Sequence, residues 1–174
     1  MELKQCERAD IPAVTAFYHQ IVTYLETHIN YPCWSCDHPS DESIVKAVEQ
    51  GEQYICISDG EIVGAVVLSE DPDGDYDAVD WSQSLKQGEY LSLHVLAVSS
   101  QCYQSGVGSF MVDECISLTR QRGYKALRLD IVPTNTPAER LYRKMGFRYA
   151  GTADLKRETA PIPLFDLYEL DMNG

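Results

Sequence analysis

The sequence predicts an α/β protein built on a mixed, mostly antiparallel central sheet with helices on both faces. Three observations carry this. Helix-periodic stretches and stretches rich in β-branched and aromatic residues follow one another in the order β-α-α-β-β-β-α-β-α-β-β. Asp59-Gly60 joins two β-rich runs as a tight hairpin. Only the strand-helix-strand unit from Tyr90 to Val132 demands a parallel crossover.

Each element has its own reason. "LKQC" is a short strand. In "ADIPAVTAFYHQIVTYLETH", Ile11, Val14, Phe17, Tyr18, Ile21, Val22 and Leu25 recur at helical spacing, and Pro12 suits a first turn. "NYPCWSCDHPS" is an aromatic-rich loop, and "DESIVKAVEQG" is a shorter helix ending at Gly51. The hairpin "QYICISDGEIVGAVVLSE" follows. The acidic, turn-rich "DPDGDYDAVDWSQSLKQG" is a loop, and "EYLSLHVLAV" is the clearest strand in the chain. "VGSFMVDECISLTRQRG" is an amphipathic helix with Val107, Phe110, Met111, Cys115 and Leu118 on one face. "KALRLDIV" is a strand, and "NTPAERLYRKMGF" is a helix capped by Asn135 or Thr136 and ended near Gly146. "FRYAGTADLK" and "IPLFDLYELDM" are closing antiparallel strands.

The 174 residues are enough for one domain, 1–174, with a sizeable core. No stretch is long and apolar enough to span a bilayer, and "MELKQCERAD" has no apolar signal-peptide core, so a cytoplasmic location and no membrane partner are expected. The formal net charge of −13 argues against a nucleic-acid partner, which needs a basic surface, and suits a cationic substrate. With no secretory signal, the six cysteines are not expected to form a disulfide framework.

"QCYQSGVGSF" (101–110) follows a strand and opens a helix. That geometry can hold a phosphate, because free amides and the positive dipole end face the anion. Gly106 and Gly108 let the backbone approach a pyrophosphate closely. The turn is neither a Walker A loop nor a full dinucleotide fingerprint, and alone such a turn is more often a simple chain reversal.

The surrounding residues resemble the GNAT family of acetyl-CoA-dependent N-acetyltransferases, over nearly the whole chain. "LAV" (96–98) ends a strand, and Gly106 of "SGVGS" comes eight residues after Val98. "LRLDIVPTN" (127–135) is the next strand, and "NTPAERLYRKMGF" (135–147) is close to the family pattern Asn-x-x-Ala-x-x-Leu-Tyr-x-x-x-Gly-Phe. The resemblance implies a GNAT-like fold and acetyl-CoA as co-substrate. The amides of Gln104, Ser105, Gly106, Val107, Gly108 and Ser109 would cradle the pyrophosphate. The backbone of Leu96, Ala97 and Val98 would pair with the pantetheine arm, and an amide there could hold the oxyanion. Asn135 resembles the pantetheine-contacting Asn of the family. One departure stands out: Tyr103 occupies the position where the family usually has Gln or Arg.

Acyl transfer to an amine needs a base to expose the lone pair and an acid for the leaving thiolate. Tyr142 matches the family's general acid. Ser92 stands where histone-type members carry a glutamate base, so that base is missing. His94, on the same side of the strand and with an intrinsic pKa of about 6.5, is a candidate base, although a satisfied interior histidine fits equally. Asp130 matches the glutamate base of some protein-N-terminal acetylating relatives, with a structural role as the alternative. Glu70 and Glu89 are candidates to grip a cationic acceptor, and Tyr31 and Trp34 of the inter-helix loop are candidate walls. That loop also holds Cys33-x-x-Cys36 flanked by His28 and His38. The set matches no standard zinc spacing, and no metal is expected. The acceptor expected is a primary amine on a small molecule. A protein N-terminus or lysine, or a non-catalytic acyl-CoA sensor, are the alternatives. The resemblance also admits a homodimer.

Overall fold

The computed structural model describes residues 1–157 and 162–173. It contains strands β1 (Glu2–Gln5), β2 (Gln53–Ser58), β3 (Glu61–Ser69), β4 (Tyr90–Val98), β5 (Ala126–Ile131), β6 (Arg148–Asp154) and β7 (Leu164–Asp171). Its helices are α1 (Ile11–Glu26), α2 (Asp41–Glu49), α3 (Val107–Gln121) and α4 (Thr136–Lys144). The strands form one mixed sheet in the order β1-β2-β3-β4-β5-β7-β6. The β4–β5 pair is parallel, in register from Tyr90↔Ala126 to Leu93↔Leu129, and the ladders β1–β2, β2–β3, β5–β7 and β6–β7 are antiparallel. The predicted fold class and element order therefore hold. The last strand inserts between β5 and β6, an order that the linear pattern does not carry.

Local chemistry sets the boundaries. The β2–β3 hairpin turns at Asp59 and Gly60, with φ of 53° and 83°, the left-handed pair that a two-residue turn requires. Ser40 caps α2, its side chain accepting from the Ser43 amide, with Asp41 and Glu42 in the first turn to meet the dipole. Asn135 caps α4 by accepting from the Ala138 amide at 3.3 Å, and Pro137 sits in the first turn. Gly146, at φ 93°, ends that helix region.

Packing divides the chain into two compact units. One comprises Met1–Asn30, Trp34–Leu68 and Val95–Glu114, and the other Tyr31–Cys33, Ser69–His94 and Cys115–Gly174. In the first, Val14, Phe17, Tyr18, Ile21 and Leu25 of α1 pack with Ile44 and Val48 of α2 and with Ile55, Ala65 and Ala97 of the strands. Each such aliphatic or aromatic side chain contributes about 1.5–3 kcal/mol on burial. Gly64 lets β3 and α3 approach closely, because a Cβ there would lie 2.3 Å from the Met111 sulfur. In the second, Tyr76, Tyr90, Ala126, Val132, Ala153, Leu155, Phe165 and Leu167 form the core. No helix among the described residues is long and apolar enough to cross a membrane.

Candidate active site

In the first unit, β4 runs into the loop before α3. Val95 has φ 42°, and its carbonyl accepts from the buried Tyr18 hydroxyl at 3.0 Å, which ties α1 to this irregular point of the strand. Tyr18 falls in the helical period as a core residue, so nothing in the sequence marks this second contact. The loop continues through a single 3-10 turn, Ser100–Cys102. Gln104 and Gly106 have φ of 64° and 90°. Nothing lies within 4 Å of where a Gly106 Cβ would be, so backbone conformation is what requires glycine there. The Phe110 amide donates to the Gly106 carbonyl at 3.0 Å, closing the first helical turn. The amides of Gly106, Val107, Gly108 and Ser109 therefore have no partner within the helix and present its positive end, whereas the Ser105 amide donates to the Cys102 carbonyl at 3.2 Å. Tyr103 is half exposed and sits edge-on to Tyr24 with ring centroids 5.9 Å apart, and Tyr24 stacks on His28 at 3.8 Å. Leu96, Ala97 and Val98 end β4 just before the loop.

Trp34 of the inter-helix loop is half-buried, packing on Tyr18 at 6.2 Å and His38 at 6.1 Å, while the Asn30 amide side chain donates to its carbonyl at 2.6 Å. Cys33 and Cys36 are free thiols, and among the described residues no three His, Cys, Asp or Glu side chains group as a metal-ligand set.

The second unit holds the candidate acid and bases. Alternation along β5 puts Arg128 and Asp130 on one face. Arg128 is fully buried, its Nε donating to Glu169 at 2.8 Å across the β5–β7 register. Its guanidinium lies between the Trp81 and Tyr90 rings, 4.1 and 4.2 Å from their centroids, and Nη2 donates to the Gln83 carbonyl at 2.9 Å. The Ser82 hydroxyl also donates to Glu169. This set straps the acidic loop down. Ser92, opposite Arg128 in the β4–β5 register, is fully buried, and its hydroxyl has no hydrogen-bond partner among the described residues.

Two residues further along β5, Asp130 receives a forked pair from Arg157, Nη1 at 2.7 Å and Nη2 at 2.8 Å, and the Tyr76 hydroxyl at 2.7 Å. Burial pushes the Asp130 carboxyl up, but the Arg157 guanidinium outweighs it and holds the group below the ordinary aspartate value. Asp130 is thus a committed anion. Burial raises Tyr76 well above the usual phenol range, and the neighbouring carboxylate adds to this. His94 interacts electrostatically with Asp130, and its Nε2 is 3.0 Å from the Asp71 carbonyl. A carbonyl only accepts, so Nε2 carries the proton and Nδ1 of the neutral ring is left as the basic nitrogen. Tyr142 is buried on α4, its ring 5.5 Å from Phe147. Burial raises its pKa, with Cys115 and Asp130 adding to the shift, so the phenol stays protonated across the physiological range. Tyr142, His94 and Asp130 therefore share one compact unit, and Asp130 is coupled electrostatically to each of the others.

The remaining candidates are placed as follows. Asn135 uses its oxygen in the α4 cap, which leaves its NH2 group to donate. Glu70 accepts from the Tyr124 hydroxyl. Glu89 pairs with Lys125 and accepts from the Lys86 amide, and Lys125 first, then that amide, hold its carboxyl below the usual value. Tyr31 is half-buried. Residues Asp71, Tyr76 and Arg157 were not legible as site residues. Their partners are distant in sequence, 54 positions for Tyr76–Asp130 and 27 for Arg157–Asp130, and no local spacing marks them.

Residues 20–147 match the acetyltransferase (GNAT) family. The chain belongs to that family. No curated protein matches it. Solved structures share the fold at low identity. A GNAT-family acetyltransferase from Listeria monocytogenes is 18% identical, with 98% of this chain and 94% of that one covered and a TM-score of 0.76. A ribosomal-protein-alanine N-acetyltransferase from Brucella melitensis is 18% identical over 98% and 99%, TM-score 0.70. The Salmonella typhimurium protein yncA, solved with its cofactor acetyl-CoA, is 14% identical over 98% and 93%, TM-score 0.69.

Proposed function

We propose that this chain transfers acetyl from acetyl-CoA to a primary amine of a small molecule, by direct attack in a ternary complex. The family match crosses segments of both compact units, which supports reading 1–174 as one catalytic domain. The observation that carries the chemistry is His94: its Nε2 is committed to the Asp71 carbonyl, so Nδ1 is the nitrogen available to take a proton from the acceptor's ammonium before it attacks.

In this reading the amides from Gln104 to Ser109 hold the cofactor pyrophosphate, that of Ser105 shared with the Cys102 carbonyl. Leu96, Ala97 and Val98 pair with the pantetheine arm, and the Asn135 NH2 group donates to it. The relative solved with acetyl-CoA supports this choice of co-substrate. Attack by the neutral amine forms the new C–N bond, and the C–S bond then breaks as the oxyanion collapses, the nitrogen giving up its second proton as the thiolate gains one. Tyr142 donates to the departing sulfur. Its burial disfavours a free phenolate, so it acts through a hydrogen bond that strengthens on the sulfur rather than through a long-lived tyrosinate. Asp130, already engaged by Arg157 and Tyr76, serves as a fixed negative charge rather than as the proton acceptor. Tyr31, Trp34 and Glu70 flank the acceptor, and Glu89, neutralised by Lys125, grips it weakly. A net charge of −13 favours a cationic acceptor over a nucleic acid.

Tyr142→Phe tests this assignment. Its kcat for CoA release should fall about a hundredfold or more, with acetyl-CoA affinity kept. Turnover equal to the parent protein would remove Tyr142 as the acid.

A further inference from the structure

The loop that touches His94 is itself held by one side chain. Arg157 lies just after β6, with its side chain largely buried. Its Nε donates to the Asp73 carbonyl, and Nη2 reaches the Pro72 carbonyl at 3.3 Å while both terminal nitrogens fork onto Asp130. The guanidinium therefore clamps the 72–73 turn to the end of β5. The residue before that turn is Asp71, whose carbonyl accepts from His94 Nε2 at 3.0 Å. Its amide donates to the Ser69 hydroxyl oxygen at 3.0 Å, which fixes the other end of the segment. A lysine cannot make this set of contacts, because they need a planar fork with donors on two edges.

We propose that Arg157 is a positioning residue for His94: by clamping the 72–73 turn to Asp130 it keeps the Asp71 carbonyl on Nε2 and leaves Nδ1 as the proton acceptor. This rests on the reading of His94 as the base. Asp71 meets the imidazole through its carbonyl, and Asp130 acts on it electrostatically. Asp130 is in turn bonded by Arg157 and Tyr76, and its charge is felt at Tyr142. Removing Arg157 releases the turn, so the Nε2–H form loses its fixed acceptor. Asp130, buried and without its guanidinium, is then no longer held as an anion.

The test is 15N NMR of histidine-labelled full-length protein, with the His94 signal assigned from His94→Gln, run beside a pH profile of CoA release. The parent protein should show His94 with Nδ1 unprotonated in the neutral ring. In Arg157→Gln the two neutral tautomers should mix, and the rate of CoA release should fall about twofold or more as the fraction with a basic Nδ1 falls. Arg157→Lys, which keeps the charge but not the planar fork, should also show the mixed tautomer. It serves as the informative variant should the glutamine form fail to fold by circular dichroism. A folded variant with the parent tautomer would overturn the proposal. The two readings fail separately. An activity limb that survives in His94→Gln would remove His94 as the base, whereas the NMR arm decides whether Arg157 orients the ring.

Discussion

Tyr103 stands in the loop before α3 with its ring edge-on to Tyr24, at the position where GNAT relatives usually place Gln or Arg. The exchange leaves the backbone amides of the loop in place, so the proposed cradle would keep them and lack one polar or cationic contact. Tyr103→Arg should therefore tighten acetyl-CoA binding by about 0.5–1 kcal/mol, a two- to fivefold fall in Kd, as expected for an exposed charge beside a phosphate. Isothermal titration at two salt concentrations checks it, since the gain should shrink as salt rises. At this scale the sequence was informative where a motif fixes the spacing. Asn135 and Tyr142 lie on one short helix and its cap, so seven residues carry their relation. It was uninformative for Asp71, Tyr76 and Arg157, whose roles exist only once β5, the acidic loop and the segment after β6 have met. The tautomer of His94 belongs to the same class, because it depends on a backbone carbonyl 23 positions away.

Among the elements, β5 does more than supply a parallel neighbour to β4. Its polar face holds two cations through carboxylates, Arg128 with Glu169 and Arg157 with Asp130, and both guanidiniums also reach carbonyls of the acidic loop. The loop read from composition as an acidic, turn-rich stretch is thus fastened to the sheet at Tyr76, Trp81, Ser82 and Gln83. Arg128→Leu should cost about 3–5 kcal/mol, because it leaves the Glu169 carboxylate buried without its partner. Urea unfolding measures the loss, and hydrogen exchange should show faster opening of residues 76–85 specifically. Loss of stability without any local change in exchange would argue against the strap. Ser92 is fully buried opposite Arg128, whereas His94, two residues on, is partly exposed.

At the scale of the whole molecule, the fold class followed from periodicity, one hairpin and one crossover. The family followed from the glycine loop and the α4 motif taken together. What periodicity cannot order is strand placement: β7 between β5 and β6 requires knowing which strand edges are open. The acceptor is likewise not encoded in any motif, since the side chains that would meet it come from separate loops. The central claim is amine-dependent acetyl transfer, and thiol release from acetyl-CoA measures it most directly. Initial rates are recorded without amine and with a panel of amino acids, polyamines and aminoglycosides, and the acetylated product is identified by mass. The account predicts saturable CoA release with at least one small primary amine, far above the amine-free rate, and a KM for that cation that rises with ionic strength. Thermal stabilisation by acetyl-CoA with no amine raising the rate above hydrolysis would contradict it.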